Sequence, residues 1–237
     1  IRGLVGSEMC IRDRINTEIL NSYDLDGIFS NNPINRLKSE PTVEDKTLKL
    51  KNLKEKIQSI DDCKLKENGS KIVFADGNIE SPIMIVGEGP GQKEDEQGKP
   101  FVGDAGILLN KMLNAINIKR EDIYITNVVN FRPPNNRKPE PIEITRYSSF
   151  LREHIAVIDP KILILMGSTA MESLFGSKIK ISKERGNWKE IIINNKTYLV
   201  MITFHPAYLL RQADQKKYSW LDLKKIRAKI DEIGLNF

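Results

Sequence analysis

Four short, uninterrupted apolar runs constrain the fold more than any other feature: "IMIVG" (83–87), "IYITNVV" (123–129), "ILILMG" (162–167) and "YLVMITF" (198–204). They lack the clean apolar–polar alternation of a strand with one wet face. Each reads instead as a strand buried on both faces, the habit of parallel sheets. Helical patterns stand between them. "DAGILLNKMLNAI" puts Leu108, Met112 and Ile116 on one face at four-residue spacing, and "EPIEITRYSSFLREHIAVI" and "STAMESLF" follow the next two runs. "IIINNKTYLV" adds a hairpin turning at Asn194–Asn195. This alternation predicts an α/β fold, a three-layer α/β/α sandwich around a central, mainly parallel four-stranded sheet. Ligands in such sheets bind beyond the carboxyl ends of the strands, so the loops after the four runs are where chemistry is expected.

The chain has 237 residues, enough for one globular domain and an appendage. Residues 1–14, "IRGLVGSEMCIRDR", resemble translated sequencing-adaptor read-through and are set aside, with Cys10. Residues 15–55 are polar, broken by "SNNP" and "SEPT", and end in a Lys-rich run; they read as a helical extension and linker. Residues 56–237 read as the functional domain. No apolar run approaches the ~20 residues that cross a bilayer, and the start lacks the order of a secretory signal. Cys10 and Cys63 cannot build a disulfide framework or a CxxC zinc site, so a reducing cytoplasm is expected. The net charge is +5, and Arg211 to Ile230 carries seven Lys/Arg against two Asp. Such a tail is either a solvated helix face or a surface that grips a phosphate backbone away from the reacting centre.

The first loop, "VGEGPGQKEDEQGKPFVGDAG", is glycine-rich yet carries Glu88, Glu94, Asp95 and Glu96, the wrong charge for a phosphate cradle. Gly87, Gly89 and Gly91 permit a sharp turn and a close ligand. Neither GK[ST] nor GxGxxG is present, so nucleotide binding is weakly supported. Phe101 either plugs the loop base or offers a face to a planar ring. In the second loop, "TNVVNFRPPNNRKPEP", Asn127 interrupts an apolar strand and must satisfy its amide, by a structural hydrogen bond or by reading a base edge. Arg132, Arg137 and Lys138 follow as candidate phosphate contacts. His205 opens the last loop, "FHPAYLLRQ", at a strand end, whereas His154 reads as structural. Leu209, Leu210 and Arg211 then either begin a helix on the core or form a wedge and anchor for DNA.

Together these loops resemble the family 4 uracil-DNA glycosylases. The likeness runs from about Ile57 to Ile230 and is carried by "VFADGN" (73–78), the two loops just quoted, "RGN" (185–187) and "FHPAYLLR". It implies a monofunctional glycosylase that hydrolyses the N-glycosidic bond of uracil flipped out of single- or double-stranded DNA and leaves an abasic site. It also implies a monomer without membrane contact, in the cytoplasm at the bacterial nucleoid. Phe101 matches the ring stacked on uracil, Asn127 the reader of the N3–H and O4 edge, and His205 the donor to O2. Gly89 lies in the uracil-binding turn, where better-known relatives carry Asp. Glu88 and Glu94 both match positions implicated in catalysis, and sequence does not choose between them.

Family members are similar in holding a [4Fe–4S] cluster on four cysteines. The matching positions here are Ile60, Cys63, Phe131 and Tyr147. One thiolate cannot hold such a cluster, so no metal and no cofactor are expected, with Cys63 free and packing tying the 60s segment to the 131–147 loop. Two rivals remain. A non-turnover uracil-DNA trap would carry an inserted basic loop with a His, absent from "NFRPPNNRKPEP". A nucleotide-processing enzyme would need phosphate-facing Lys, Ser or Thr in the first loop, where carboxylates stand instead.

Overall fold

A computed structural model of the protein describes residues 42–68 and 71–235, which lie within one compact unit, Pro41–Phe237. The set-aside start, Cys10 and most of the expected extension lie outside the described residues.

The strands are β1 (Ala75–Gly77), β2 (Ile83–Gly87), β3 (Tyr124–Asn127), β4 (Ile162–Met166), β5 (Trp188–Ile193) and β6 (Lys196–Thr203), in the sheet order β1-β3-β2-β4-β6-β5. The four apolar runs are β2, β3, β4 and β6, and they form the parallel centre. The sheet has six strands rather than the expected four, because an antiparallel strand is added at each edge. β5 is the first arm of the expected hairpin, and Asn194 and Asn195 turn it with φ of 49° and 63°. Two successive left-handed residues match the right-handed twist of the flanking strands, and Asn tolerates that conformation.

Alternate residues of the central strands feed two cores. On one face Met84, Val86, Tyr124, Leu163, Leu165 and Val200 pack with helices α1 (Val43–Gln58), α5 (Pro141–Ile158) and α6 (Ser168–Phe175). On the other, Ile83, Ile85, Ile125, Ile164 and Met201 meet α4 (Asp104–Asn114), α8 (Pro206–Arg211) and α9 (Lys216–Glu232). The short helices α2 (Lys64–Asn68), α3 (Gln92–Gln97) and α7 (Ile181–Glu184) complete the set among the described residues. α1 begins with a capping box, in which Thr42 Oγ1 accepts from the Asp45 N–H and the Asp45 carboxylate accepts from the Thr42 N–H. Its Leu50, Leu53 and Ile57 are buried in the first core, so residues 43–55 pack into the unit. His154 is structural: its Nε2 lies 2.7 Å from Tyr124 Oη, and burial lowers its pKa to about 3.

The register places Gly87 beside Asn127 and Met166 beside Thr203. The carboxyl ends of the four parallel strands therefore finish close to one level, and the expected loops leave the sheet there.

Candidate active site

A cavity of about 600 Å³ opens beyond that edge, lined from β2 by Glu88, Gly89 and Gly91, from β3 by Asn127, from β4 by Gly167 and Ser168, and from β6 by Phe204 and His205. Phe101 forms part of its wall. The four strand-end loops thus meet in one place, including the loop after β4 that sequence reasoning passed over.

Phe101 is held in an unusual backbone state, with φ of 52°. For a residue with a Cβ this costs about 1–2 kcal/mol, so the surroundings must impose it. Arg120 does so: Nη1 donates to the Phe101 carbonyl at 2.9 Å and Nη2 to the Pro100 carbonyl at 2.7 Å. Asp76 fixes the guanidinium, accepting from Nε at 3.0 Å and from Nη2 at 2.9 Å. Gly106 is required as well, since a Cβ there would lie 1.9 Å from the Phe101 carbonyl oxygen. The ring so placed is stacked with His205, centroids 5.4 Å apart. Gly87 leaves room for this packing, because its Cβ would come within 2.4 Å of Asn127 Oδ1 and 2.5 Å of Phe101 Cζ.

Asn127 is only 4% exposed. Its side-chain amide makes no hydrogen bond to any described residue, and it lines the cavity. A buried amide left open in this way is available to a ligand that offers one acceptor and one donor side by side.

His205 caps α8, its Nδ1 accepting the Ala207 N–H at 3.2 Å. That bond puts the proton of the neutral ring on Nε2. Burial, with Arg211 nearby, lowers the His205 pKa to about 4, so the ring is neutral at pH 7. The cavity therefore holds a neutral N–H donor.

The two glutamates differ sharply. Glu94 is buried and accepts three backbone N–H groups: Gly91 at 3.2 Å, Val102 at 3.0 Å and Gly103 at 2.8 Å. Both its oxygens are committed to folding the loop that carries Phe101. Glu88 is half-buried on the cavity wall, and its Oε2 accepts from the Thr169 hydroxyl. Its other oxygen has no partner among the described residues. Asp95 accepts the Lys71 N–H at 3.1 Å and belongs to the scaffold. Gly89 also faces the cavity, and a Cβ there would lie 2.7 Å from Val129 Cγ2, so any side chain at this position would displace Val129.

The uracil DNA glycosylase superfamily profile matches residues 74–224. The chain belongs to the uracil-DNA glycosylase superfamily. It is 40% identical over 183 residues to a type-4 uracil-DNA glycosylase of Thermotoga maritima, spanning 76% of this chain and 94% of that relative. It is 41% identical over 187 residues to one of Sulfurisphaera tokodaii, covering 75% and 83% of the two chains. A third, from Archaeoglobus fulgidus, is 37% identical over 174 residues, covering 72% and 87%.

The expected DNA contacts of this superfamily member are not all placed alike. Arg211 is exposed and lines the cavity, and Leu210, next to it in the chain, is 48% exposed. Leu209 is corrected: it is 1% exposed and packed in the second core, because the turn of α8 points it inward where Leu210 points outward. Arg137 lines the cavity but is paired with both carboxylate oxygens of Glu143, at 2.8 and 2.7 Å. Lys138 meets Glu172 at 3.0 Å, and Arg132 Nε donates to Asn136 at 2.8 Å. Residues that sequence reasoning missed are Arg120 and Asp76, which hold Phe101, and Thr169, which holds Glu88. Thr169 had a signal in the "GST" that follows the third apolar run.

The four positions where the resemblance led us to expect cluster ligands carry side chains that do not fit an iron–sulfur group. Ile60, Cys63, Phe131 and Tyr147 are all buried in the first core, and Cys63 Sγ lies 3.5 Å from Tyr147 Oη. They offer one thiol, one phenol and two hydrocarbons, whereas a cluster needs four ligands of thiolate type.

Proposed function

We propose that this protein hydrolyses the N-glycosidic bond of uracil flipped out of DNA, single- or double-stranded, releasing the base and leaving an abasic site. The single observation that carries this reading is the open Asn127 amide facing a cavity that also holds Phe101 and a neutral His205. Uracil is planar and presents an N3–H donor beside an O4 acceptor, the pattern that one primary amide complements. Phe101 takes the ring face, and His205 Nε2–H donates to O2. As the bond breaks, negative charge grows on the leaving uracil and positive charge on the sugar. A preorganised donor at the developing anion is worth ~10²–10³ in rate, and a neutral imidazole supplies it without a full proton transfer. Glu88 keeps one oxygen for the attacking water and offsets the charge of the sugar. Glu94 acts through the loop it folds.

The donor chemistry at Ile60, Cys63, Phe131 and Tyr147 supports a protein that works without an iron–sulfur cluster there. No helix among the described residues is long and apolar enough to cross a membrane.

The test is an oligonucleotide with one uracil, single- and double-stranded, incubated with protein and then with alkali. Scission at the uracil, strongly reduced in Asn127→Asp, supports the reading. A shifted band stable to denaturant means a covalent trap instead, and an intact, unshifted strand removes the assignment.

A further inference from the structure

The "RGN" segment has no part in the chemistry above, yet it organises the surface beside the cavity. Arg185 forms an ion pair with the fully buried Asp222, which also accepts from the Thr203 hydroxyl at 2.8 Å. Gly186 closes this arrangement: its φ is 73°, and a Cβ would lie 2.4 Å from Asp222 Oδ1. So fixed, the Arg185 guanidinium lies between two rings, 5.5 Å from the centroid of Phe204 and 5.3 Å from that of Tyr218. Lys217 continues the series, with Nζ 5.2 Å from the Tyr218 centroid. The result is an alternating series of rings and cations from the cavity wall, where Phe204 sits, to the surface, where Tyr218 is 38% exposed.

The charge around its outer end is one-sided. Arg211, Lys216 and Lys217 form no ion pair among the described residues, and Arg211 lines the cavity mouth. Asp222 is spent on Arg185, which leaves Asp214 as the exposed acid of this turn. An exposed ring beside unpaired cations, continuous with a nucleotide-binding cavity, is the combination that holds a single strand: bases stack on the ring and phosphates meet the cations.

We propose that Tyr218 and Lys217 form a second DNA subsite, in which Lys217 leaves the outer face of the Tyr218 ring to meet a phosphate and an unpaired base flanking the extruded nucleotide stacks on the face so vacated. The subsite rests on the proposed function for its ligand but not for its measurement. Arg185 is a positioning residue for it, holding the ring through its guanidinium and through a 2.7 Å bond to the Tyr218 carbonyl.

The experiment compares wild type, Tyr218→Ala, Tyr218→Phe and Lys217→Ala on a long single-stranded oligonucleotide with a central uracil and on a trinucleotide too short to reach the ring. Loss of one base–aromatic stack is expected to raise KM for the long strand roughly tenfold in Tyr218→Ala, with kcat unchanged. Tyr218→Phe keeps the wild-type KM, Lys217→Ala lowers the salt dependence of KM, and the trinucleotide shows no change. In parallel, fluorescence anisotropy reads the affinity of each protein for uracil-free single-stranded DNA, and Tyr218→Ala is expected to bind more weakly by a similar factor. Absence of uracil release by the wild type would sink the proposed function, and the anisotropy series would still decide the subsite. Equal losses on long and short substrates, or unchanged anisotropy in Tyr218→Ala, would overturn it.

Discussion

Replacing Glu94 and Glu88 by Gln separates a scaffold role from a catalytic one. Glu94 accepts the N–H groups of Gly91, Val102 and Gly103. In Glu94→Gln one carbonyl oxygen can keep Val102 and Gly103, but the new NH₂ then opposes the Gly91 N–H. Two charge-assisted bonds become neutral ones, at a loss of about 1 kcal/mol each, and an unpaired donor adds about 1 kcal/mol. The sum is about 3 kcal/mol. For a unit of this size each kcal/mol lowers Tm by about 2–4 °C, so a fall of about 6–12 °C is expected in a calorimetric scan at pH 7. KM should rise too, since Phe101 belongs to the loop that Glu94 folds. In Glu88→Gln the carbonyl can still accept from Thr169. Its Tm should stay within about 2 °C of wild type while kcat falls ~10²–10⁴-fold, the usual worth of a positioned base. The reverse pattern, a stable Glu94→Gln with collapsed kcat beside a destabilised Glu88→Gln, would refute the assignment.

Other outcomes follow from the same geometry. The His205 pKa of about 4 and the His154 pKa of about 3 lie below the ordinary 6.5, so the unfolded chain binds protons that the folded one refuses. Stability is therefore expected to fall as pH drops from about 6.5 toward 4, and neither imidazole should titrate between pH 5 and 8 by NMR; a ring titrating near 6.5 would contradict the burial argument. Gly87→Ala should lower kcat/KM at least tenfold, because the methyl enters the space of Asn127 and Phe101; wild-type kinetics would show that these side chains yield freely. Purified protein should carry no iron, show no visible charge-transfer absorption and keep full activity in chelator; iron in a ratio of four per chain would overturn the cofactor-free reading.

What could be read from the sequence depended on whether a role was local. β2, β3, β4 and β6 were legible because burial on both faces leaves a continuous apolar run, as in Ile83–Gly87, where every residue is buried. β1 was not, since "ADG" has no such run and exists by pairing with residues 124–126. The helical extension expected up to residue 55 looked separate from the domain because lysines dominate it, yet Leu50, Leu53 and Ile57 of α1 suffice to fill one core-facing stripe. In the site, Asn127 stood out as a polar residue inside an apolar run and His205 as one at a strand end, and the structure ends β3 at Asn127. The division between Glu88 and Glu94 could not be read, because it depends on which backbone N–H groups a folded loop presents. Arg120 was invisible for the same reason: its partners at Pro100 and Phe101 are brought to it by the loop. Leu209 and Leu210 are adjacent and alike, and only the pitch of α8 sends one inward and the other out.

The account rests most directly on turnover of uracil at this cavity. The decisive measurement is free uracil released from a large excess of uracil-containing DNA, counted per molecule of purified, iron-free protein. Many uracils per chain, matched by an equal number of abasic sites, are expected. Release of none, or a plateau at one DNA bound per chain, would contradict it.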